Sequence, residues 1–212
     1  WEYTPMARGK ANRDARMRER LVQESARIMA VEGIRDFSIA KRKAALQLNA
    51  PRTTNLPQNR EIQAALQDYQ RLFGGERQLT ALQSLREAAL EAMTFFAAFR
   101  PRLTGSVLDG TAGDQSAVDL HCFAETPEDV VFFLMDHDIP FDTQEKRFRF
   151  EDDYETIPVH HFVAGDTPIT VAVFAGRGNH QPPKSPIDGR PMQRASRRDV
   201  EALIAEDASA VD

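Results

Sequence analysis

The sequence has a single cysteine, Cys122, and no apolar run that approaches the roughly 18 residues needed to span a membrane. One cysteine excludes an intramolecular disulfide, and no cluster of cysteine and histidine residues has the spacing of a zinc site. The N-terminal stretch is charged rather than apolar, so the sequence predicts no secretory signal. We therefore expect a cytoplasmic protein without a membrane partner.

Charge is distributed unevenly along the 212 residues, whose net charge is −5. Residues 1–60 carry 13 Lys/Arg against 6 Asp/Glu, whereas residues 61–212 carry 14 against 26. Such an asymmetry predicts that the basic residues of 1–60 can bind a polyanion. The alternative is a solvated basic helix beside an acidic domain.

Helical periodicity dominates the first hundred residues. RDARMRERLVQESARIMAVEG predicts a helix that ends at Gly33, and Ser38 can cap a second helix, IAKRKAALQLN. A third helix follows Pro57, and a longer fourth helix covers residues 79–99. The sequence therefore predicts three segments: a tag-like or flexible basic arm at 1–12, a helical domain at 13–75 and a second domain at 76–212.

After Pro101 the apolar period changes from helical to alternating, which predicts strands. The alternating stretches are RLTGSV, AVDLHCF, KRFRF, VHHFVAG and TPITVAVF, and an acidic loop, EDDYETIP, is predicted between the third and the fourth. Capping signals predict helices in TPEDVVFFLMDHD and RRDVEALIAE. The predicted fold class is α+β, with an N-terminal helical bundle followed by a mixed sheet with flanking helices.

A glycine-rich stretch, GSVLDGTAGDQSAVDLHCF, joins two of the predicted strands. Gly105 and Ser106 follow the first strand, and Gly110 comes soon after, so backbone N–H groups there can cradle phosphate oxygens. Asp119 lies on the next strand, where a carboxylate can hold Mg²⁺ against those phosphates. The alternative is a glycine-rich connection into a core strand, with Asp119 as the polar residue of a half-buried strand.

The spacing of these residues resembles the nucleotidyltransferase superfamily in its minimal, polymerase-β-like form. The resemblance covers residues 105–120, and the elements across about 79–212 are compatible with that family's fold. It implies that Gly105, Ser106 and Gly110 bind phosphate. It also implies that Asp119 is the catalytic residue and the ligand of Mg²⁺, the cofactor of an active enzyme, and that the partner is a nucleotide or a nucleic acid.

The chain departs from the family's pattern at two carboxylates. Ala117 stands where the family has its first metal-binding aspartate, and the strand expected to carry a third acid, PITVAVF, has Thr170 as its polar residue. A pair of Mg²⁺ ions needs several oxygen ligands. The resemblance therefore leaves two alternatives open: an active nucleotidyltransferase, and a pseudoenzyme whose cleft binds a ligand or partner.

The N-terminal helices resemble a second family. The stretch RERLVQESARIMAVEGIRDFSIAKRKAA is similar to the opening of TetR-type helix-turn-helix regulators, a resemblance that covers about residues 18–46. A helix-turn-helix places its later helix in the DNA major groove and uses Lys and Arg on phosphates. The implied nucleic-acid-binding residues are Lys41, Arg42, Lys43, Arg52 and Arg60. The alternative function is thus a DNA-binding regulator whose C-terminal domain senses a ligand or forms a homodimer.

Three histidines and one loop are further candidates. His121 lies two residues after Asp119, so both share one strand face and could form half of a metal or phosphate site; the alternative, which the sequence favours, is a packed strand histidine. His160 and His161 are adjacent and should point to opposite sides of their strand. The loop at 184–198 carries Lys184 and four arginines that could close over a phosphate or an RNA backbone, unless it is an ordinary surface loop.

Overall fold

A computed structural model describes the backbone of residues 5–176 and 181–209 and the side chains of 12–176 and 181–208. The chain divides into two compact units, Trp1–Gly75 and Glu76–Asp212. The first unit is helical and the second contains the sheet. The predicted α+β class, a helical N-terminal region followed by a mixed sheet with flanking helices, is confirmed.

The first unit consists of three helices: α1 (Pro5–Glu32), α2 (Phe37–Gln47) and α3 (Asn59–Phe73). Helix α1 begins at Pro5, inside the stretch for which the sequence predicts a flexible arm. Two apolar clusters hold the unit together, one between α1 and α2 around Leu21 and Ile28 and one between α1 and α3 around Ile62. Gly33, with a φ of +66°, ends α1 as its position in the sequence predicts.

Local hydrogen bonds set where α2 and α3 begin. Asp36 rather than Ser38 caps α2, because its Oδ1 accepts from the N–H of Ile39 at 2.9 Å. At the start of α3 the carboxylate of Glu61 accepts from the N–H of Gln58 at 2.6 Å and from both Nε and Nη2 of Arg18 in α1. This bidentate pair, at 3.0 and 2.6 Å, fastens the start of α3 to α1.

The second unit alternates helices and strands along the chain. A long helix predicted at 79–99 begins earlier and stops at Phe95, where a 3₁₀ turn, Ala97–Phe99, follows it. The elements are α4 (Gly75–Phe95), β1 (Arg102–Thr104), α5 (Gly105–Asp109), β2 (Val118–Phe123), α6 (Glu128–Asp136), β3 (Asp142–Phe150), β4 (Asp153–Ala164), β5 (Thr167–Phe174) and α7 (Arg197–Ser209).

The five strands form one sheet in the order β1-β2-β5-β4-β3. The pair β2 and β5 is parallel, and the other three pairs are antiparallel. The predicted acidic loop EDDYETIP is wrong: β3 and β4 form a hairpin that turns at Glu151 and Asp152, and Asp153–Ala164 is strand. Cross-strand pairing with β3 makes this stretch a strand despite its charges.

One face of the sheet is buried under helices. Leu120 and Val171 on this face pack in one core with residues of α4, α6 and α7, among them Met93, Leu134 and Val200. None of the helices within the described residues is long and apolar enough to cross a membrane. The opposite face of the sheet carries the candidate site.

Candidate functional site

The glycine-serine turn lies where β1 passes into α5. Gly105 has a φ of +72°, in the left-handed region that residues other than glycine rarely adopt. A Cβ at Gly105 would lie 2.7 Å from Oδ2 of Asp119 on β2. Asp119 pairs across the strands with Thr104, whose hydroxyl donates to the Asp119 carbonyl at 3.2 Å. The structure thus brings the predicted carboxylate and the predicted glycine turn into contact.

Ser106 and Gly110 shape the rest of the turn. The buried Oγ of Ser106 has no hydrogen-bond partner among the described residues, while its carbonyl accepts from the N–H groups of Thr111 and Ala112 at 2.9 and 3.0 Å. Gly110 ends α5 with a φ of +81°, and a Cβ there would make ordinary contacts only. A glycine is therefore needed at 110 for the positive φ of the loop. At 105 a glycine is needed both for the positive φ and because a Cβ would collide with Asp119.

A row of polar residues crosses the open face of the sheet at this end, one from each strand. Asp119 is half-buried and neighbours Thr170 on the parallel strand β5. The hydroxyl of Thr170 lies 3.3 Å from Nδ1 of His161 on β4. We call this set the polar row: Thr104, Asp119, Thr170, His161 and Asp142.

The carboxylates around Asp119 do not fit a pair of Mg²⁺ ions. Ala117 is buried and offers no ligand, and Thr170 stands on the strand where a further acid would be needed. His161 lies two strands from Asp119, about 10 Å at ordinary strand spacing, which is too far to share an ion. No group of three or more His, Cys, Asp or Glu side chains among the described residues could hold a metal.

The segment 181–196, which we call the strap, crosses the other half of this sheet face. It starts at the β3 edge, where the N–H of Lys184 donates to the Arg149 carbonyl at 2.7 Å. It ends at the β1 edge, where Ala195 and Leu103 exchange two backbone hydrogen bonds of 2.9 Å. Between these points Met192 packs on the aromatic cluster of the sheet. The strap covers this cluster, whereas in the polar row Asp119, Thr170 and His161 are partly exposed, Asp142 is exposed and Thr104 is buried.

Arg194 fixes the strap to the sheet. Its guanidinium lies 4.9 Å from the centre of the Phe123 ring and 5.1 Å from that of Phe174, a cation–π arrangement. Its Nε donates to Nδ1 of His121 at 3.1 Å. His121 is buried and engaged with the strap, so it does not form a metal or phosphate half-site with Asp119, contrary to the sequence-based hypothesis.

Burial keeps His121 neutral. Loss of solvation, with the nearby charges of Arg194 and Lys146, lowers its pKa to about 3. Burial also lowers the pKa of His160, which lies on the opposite face as the alternation predicts and contacts the Thr143 hydroxyl through Nδ1 at 2.9 Å. Burial, with the nearby charge of Arg102, lowers the pKa of Arg194 to about 10.

The neutral histidine makes stability depend on pH. Below about pH 6.5 the unfolded state binds a proton that folded His121 rejects, so stability is complete above that pH and falls as the pH decreases. We expect the free energy of unfolding to fall by ~1 kcal/mol from about pH 6.5 to about pH 5.5, measured by urea titration with circular dichroism. His121→Asn, whose amide oxygen can still accept from Arg194, should weaken this dependence and leave the part that His160 contributes. Equal slopes for wild type and His121→Asn would contradict the assignment of His121 as the neutral buried group.

A buried arginine supports α5 from the helical side. Arg86 of α4 is 5% exposed, donates through Nε to the Val107 carbonyl at 3.3 Å and forms an ion pair with Asp207 of α7. Sequence analysis missed it. The sequence pattern that could have revealed Arg86 is its position on the apolar stripe of α4, between Leu85 and Ala89. A buried arginine at such a position needs a hydrogen-bond or ion-pair partner.

The basic residues predicted to bind nucleic acid differ in environment. Lys41 is half-buried, its Nζ donates to Oδ1 of Asn59 at 2.6 Å, and burial lowers its pKa. Lys43 forms an ion pair with Glu32. The exposed members of the set are Arg42, Arg52 and Arg60. Residues 48–58 separate α2 from α3, a much longer connection than the three or four residues of a helix-turn-helix.

An open pocket of about 550 Å³ lies at the far end of β2 from Asp119. Phe123, the last residue of β2, lies about 13 Å along the strand from Asp119. None of the predicted site residues lines this pocket, which is formed by Ala98, Phe99, Arg100, Phe123, Ala124, Glu125, Asp129 and Gly176.

Comparison with known proteins does not assign the chain to a family. No protein-family model matches the chain, and no curated protein matches its sequence.

Proposed function

We propose that this is a nucleotidyltransferase-fold protein that binds a nucleotide through its phosphates at the Gly105–Ser106 turn. The observation that carries the proposal is the contact between Asp119 and Gly105, where a Cβ would lie 2.7 Å from the carboxylate oxygen. A turn that accepts only glycine, directly after a strand and beside a strand acid, is the arrangement that lets a phosphate approach the backbone.

Two further observations support the proposal. The Oγ of Ser106 is buried without a hydrogen-bond partner among the described residues, so a phosphate oxygen could accept from it. Asp119 is part of the polar row and is only partly buried. The order of elements, a strand, the glycine turn, a short helix and then the acid-bearing strand, agrees with the resemblance in sequence.

Nucleotide binding is the function that the residues fit, and metal-dependent transfer is not. Asp119 has no second carboxylate on its strand or on β5, so the residues that the structure describes do not provide the ligands for a pair of Mg²⁺ ions. We derive no transfer step. A DNA-binding regulator remains a prediction from sequence, and of its residues Arg42, Arg52 and Arg60 are the exposed ones.

The test is isothermal titration with ATP, GTP, CTP and UTP. We expect saturable binding of at least one nucleotide in the presence of Mg²⁺, and about tenfold weaker binding by Ser106→Ala, because one charge-assisted hydrogen bond is lost. Asp119→Asn should bind the nucleotide more tightly than wild type in EDTA, since a bare carboxylate repels phosphate.

The matched control is Ser116→Ala, in the same glycine-rich stretch, whose hydroxyl already accepts from the Gly113 N–H at 3.0 Å. It should bind nucleotides like wild type. Absence of heat with all four nucleotides, with and without Mg²⁺, would rule out the proposed function.

A further inference from the structure

Strand β3 is an edge of the sheet, and one side of its backbone faces no other strand. The Arg149 carbonyl accepts from the strap, so it points away from β4. Alternate residues of an antiparallel strand direct their N–H and C=O groups the same way, so those of Thr143, Glu145 and Arg147 also point outward. Among the described residues no backbone hydrogen bond reaches these outward groups, and residues 142–147 are all exposed. The strap therefore closes one end of this edge and leaves the other end open.

The open stretch of β3 carries charges of both signs at a regular spacing. Asp142 and Lys146 lie four residues apart, so their side chains are on the same face of the sheet. Within the described residues neither side chain forms an ion pair. When two copies of such a strand run antiparallel, the acid of each copy can lie opposite the base of the other. The stretch is thus complementary in charge to a second copy of itself.

Backbone geometry and charge together restrict how two copies can pair. An outward-pointing residue can pair only with another outward-pointing residue, so a two-fold axis must pass between a residue and its own copy. An axis at Glu145 or at Lys146 would set two like charges against each other. An axis at Lys146 would also pair Thr143 with Arg149, whose carbonyl is already occupied by the strap. Neither of these registers is favourable.

An axis at Gln144 meets neither obstacle. Asp142 of each copy then lies directly opposite Lys146 of the other, so the two-fold axis generates this opposite-charge pair twice. The pairing extends over 142–146 and stops short of the stretch that the strap occupies. Moving the axis to Thr143 would place Lys146 opposite Pro140, which precedes β3, and would lose both ion pairs. Charge and geometry therefore favour one register.

We propose that this edge of β3 is a homodimer interface, at which two copies of the chain pair antiparallel about a two-fold axis at Gln144. The interface joins two five-stranded sheets into one continuous sheet. Because it consists of one pair of short strands, it buries less surface than a permanent dimer, and we expect a reversible dimer with a dissociation constant of about 10–100 µM. The proposal does not depend on nucleotide binding.

Disulfide cross-linking tests the register. Gln144→Cys should form a disulfide-linked dimer in oxidised glutathione, because the two Cα atoms at the axis would lie about 4.5 Å apart, within disulfide range. Lys146→Cys is the matched control, since it is also exposed and on the same face but would lie about 14 Å from its copy. Cys122 is fully buried and should not react. Non-reducing electrophoresis should show at least about tenfold more linked dimer for Gln144→Cys than for Lys146→Cys.

Sedimentation equilibrium of the full-length chain, at an ionic strength of about 0.15 M, measures the affinity itself. Asp142→Lys should weaken the dimer at least about tenfold, because it sets two lysines against each other at two places. Combining it with Lys146→Asp should restore the wild-type affinity to within about twofold, since the opposite-charge pairs form again with their positions exchanged. Both residues are exposed, so neither change disturbs the core.

A chain that stays monomeric at about 1 mM would overturn the proposal. Cross-linking of Lys146→Cys in preference to Gln144→Cys, or a dimer that Asp142→Lys leaves unchanged, would overturn it as well. Phe132 and Met135 of α6 are also exposed apolar side chains. A dimer that is weakened by Phe132→Ser and not by Asp142→Lys would use that surface, and would contradict pairing at β3.

Discussion

Gly105→Ala should destabilise the second unit by roughly 3 kcal/mol. Two costs add at this position. A left-handed backbone conformation disfavours any side chain, and the new Cβ would lie 2.7 Å from Oδ2 of Asp119, so the carboxylate must move. Cys122 provides the measurement, since it is the one cysteine of the chain and is fully buried in β2. Its labelling by a thiol reagent in urea reports unfolding of this unit alone.

Two variants separate the backbone cost from the clash. Gly165→Ala has a similar φ of +59° with nothing within 4 Å of the Cβ, so it should cost roughly 1 kcal/mol. Combining Gly105→Ala with Asp119→Ala should remove the clash and so recover the part of the cost at Gly105 that exceeds the cost at Gly165. The coupling energy between the two substitutions should be about 1–2 kcal/mol. Equal costs at Gly105 and Gly165 would show that Asp119 does not lie against the turn.

Asp207→Ala should destabilise the same unit by about 3 kcal/mol, because it leaves the buried guanidinium of Arg86 without its counter-ion. Arg86→Met should cost less, since it removes the charge and keeps most of the volume, at the loss of the bond to the Val107 carbonyl. The double variant should be no less stable than Asp207→Ala alone, again measured by labelling of Cys122 in urea.

Glu201→Ala on the same helix is the control for this cycle. Glu201 pairs with Arg197 four residues earlier at 3.0 Å, both side chains are about half exposed, and such pairs contribute under about 0.5 kcal/mol. Additive costs for Arg86→Met and Asp207→Ala would contradict the buried ion pair as the link between α4 and α7.

The fold was predictable from sequence where its causes are local. Alternation predicted β2 and β5, and the capping signals are present as hydrogen bonds: the Thr126 N–H donates to Asp129 at 2.9 Å, and the Ser196 hydroxyl donates to Asp199 at 2.6 Å. The β3–β4 hairpin was missed in part, because its charged residues become strand only through pairing with a partner strand. The local sequence pattern does not reveal that β3 and β4 pair.

The candidate site divides in the same way. Gly105, Ser106 and Asp119 were predicted from a stretch of fifteen residues, 105–119, and the structure brings the first and last into contact. Thr170 and His161 join Asp119 through the register of β5 and β4, which no local pattern encodes. The approach of Arg194 to His121 depends on a strap anchored at both edges of the sheet. His121 is the packed strand histidine that the sequence favours, and not a half-site with Asp119.

The strap also covers backbone groups at both edges of the sheet. An open sheet presents two edge strands whose unpaired backbone groups can template another chain. Here the strap pairs with Leu103 at the β1 edge and donates from the Lys184 N–H to the Arg149 carbonyl at the β3 edge, while Glu145 and Lys146 place charge along the remainder of β3. A change that released the strap would therefore expose both edges at once, and its first consequence would be aggregation.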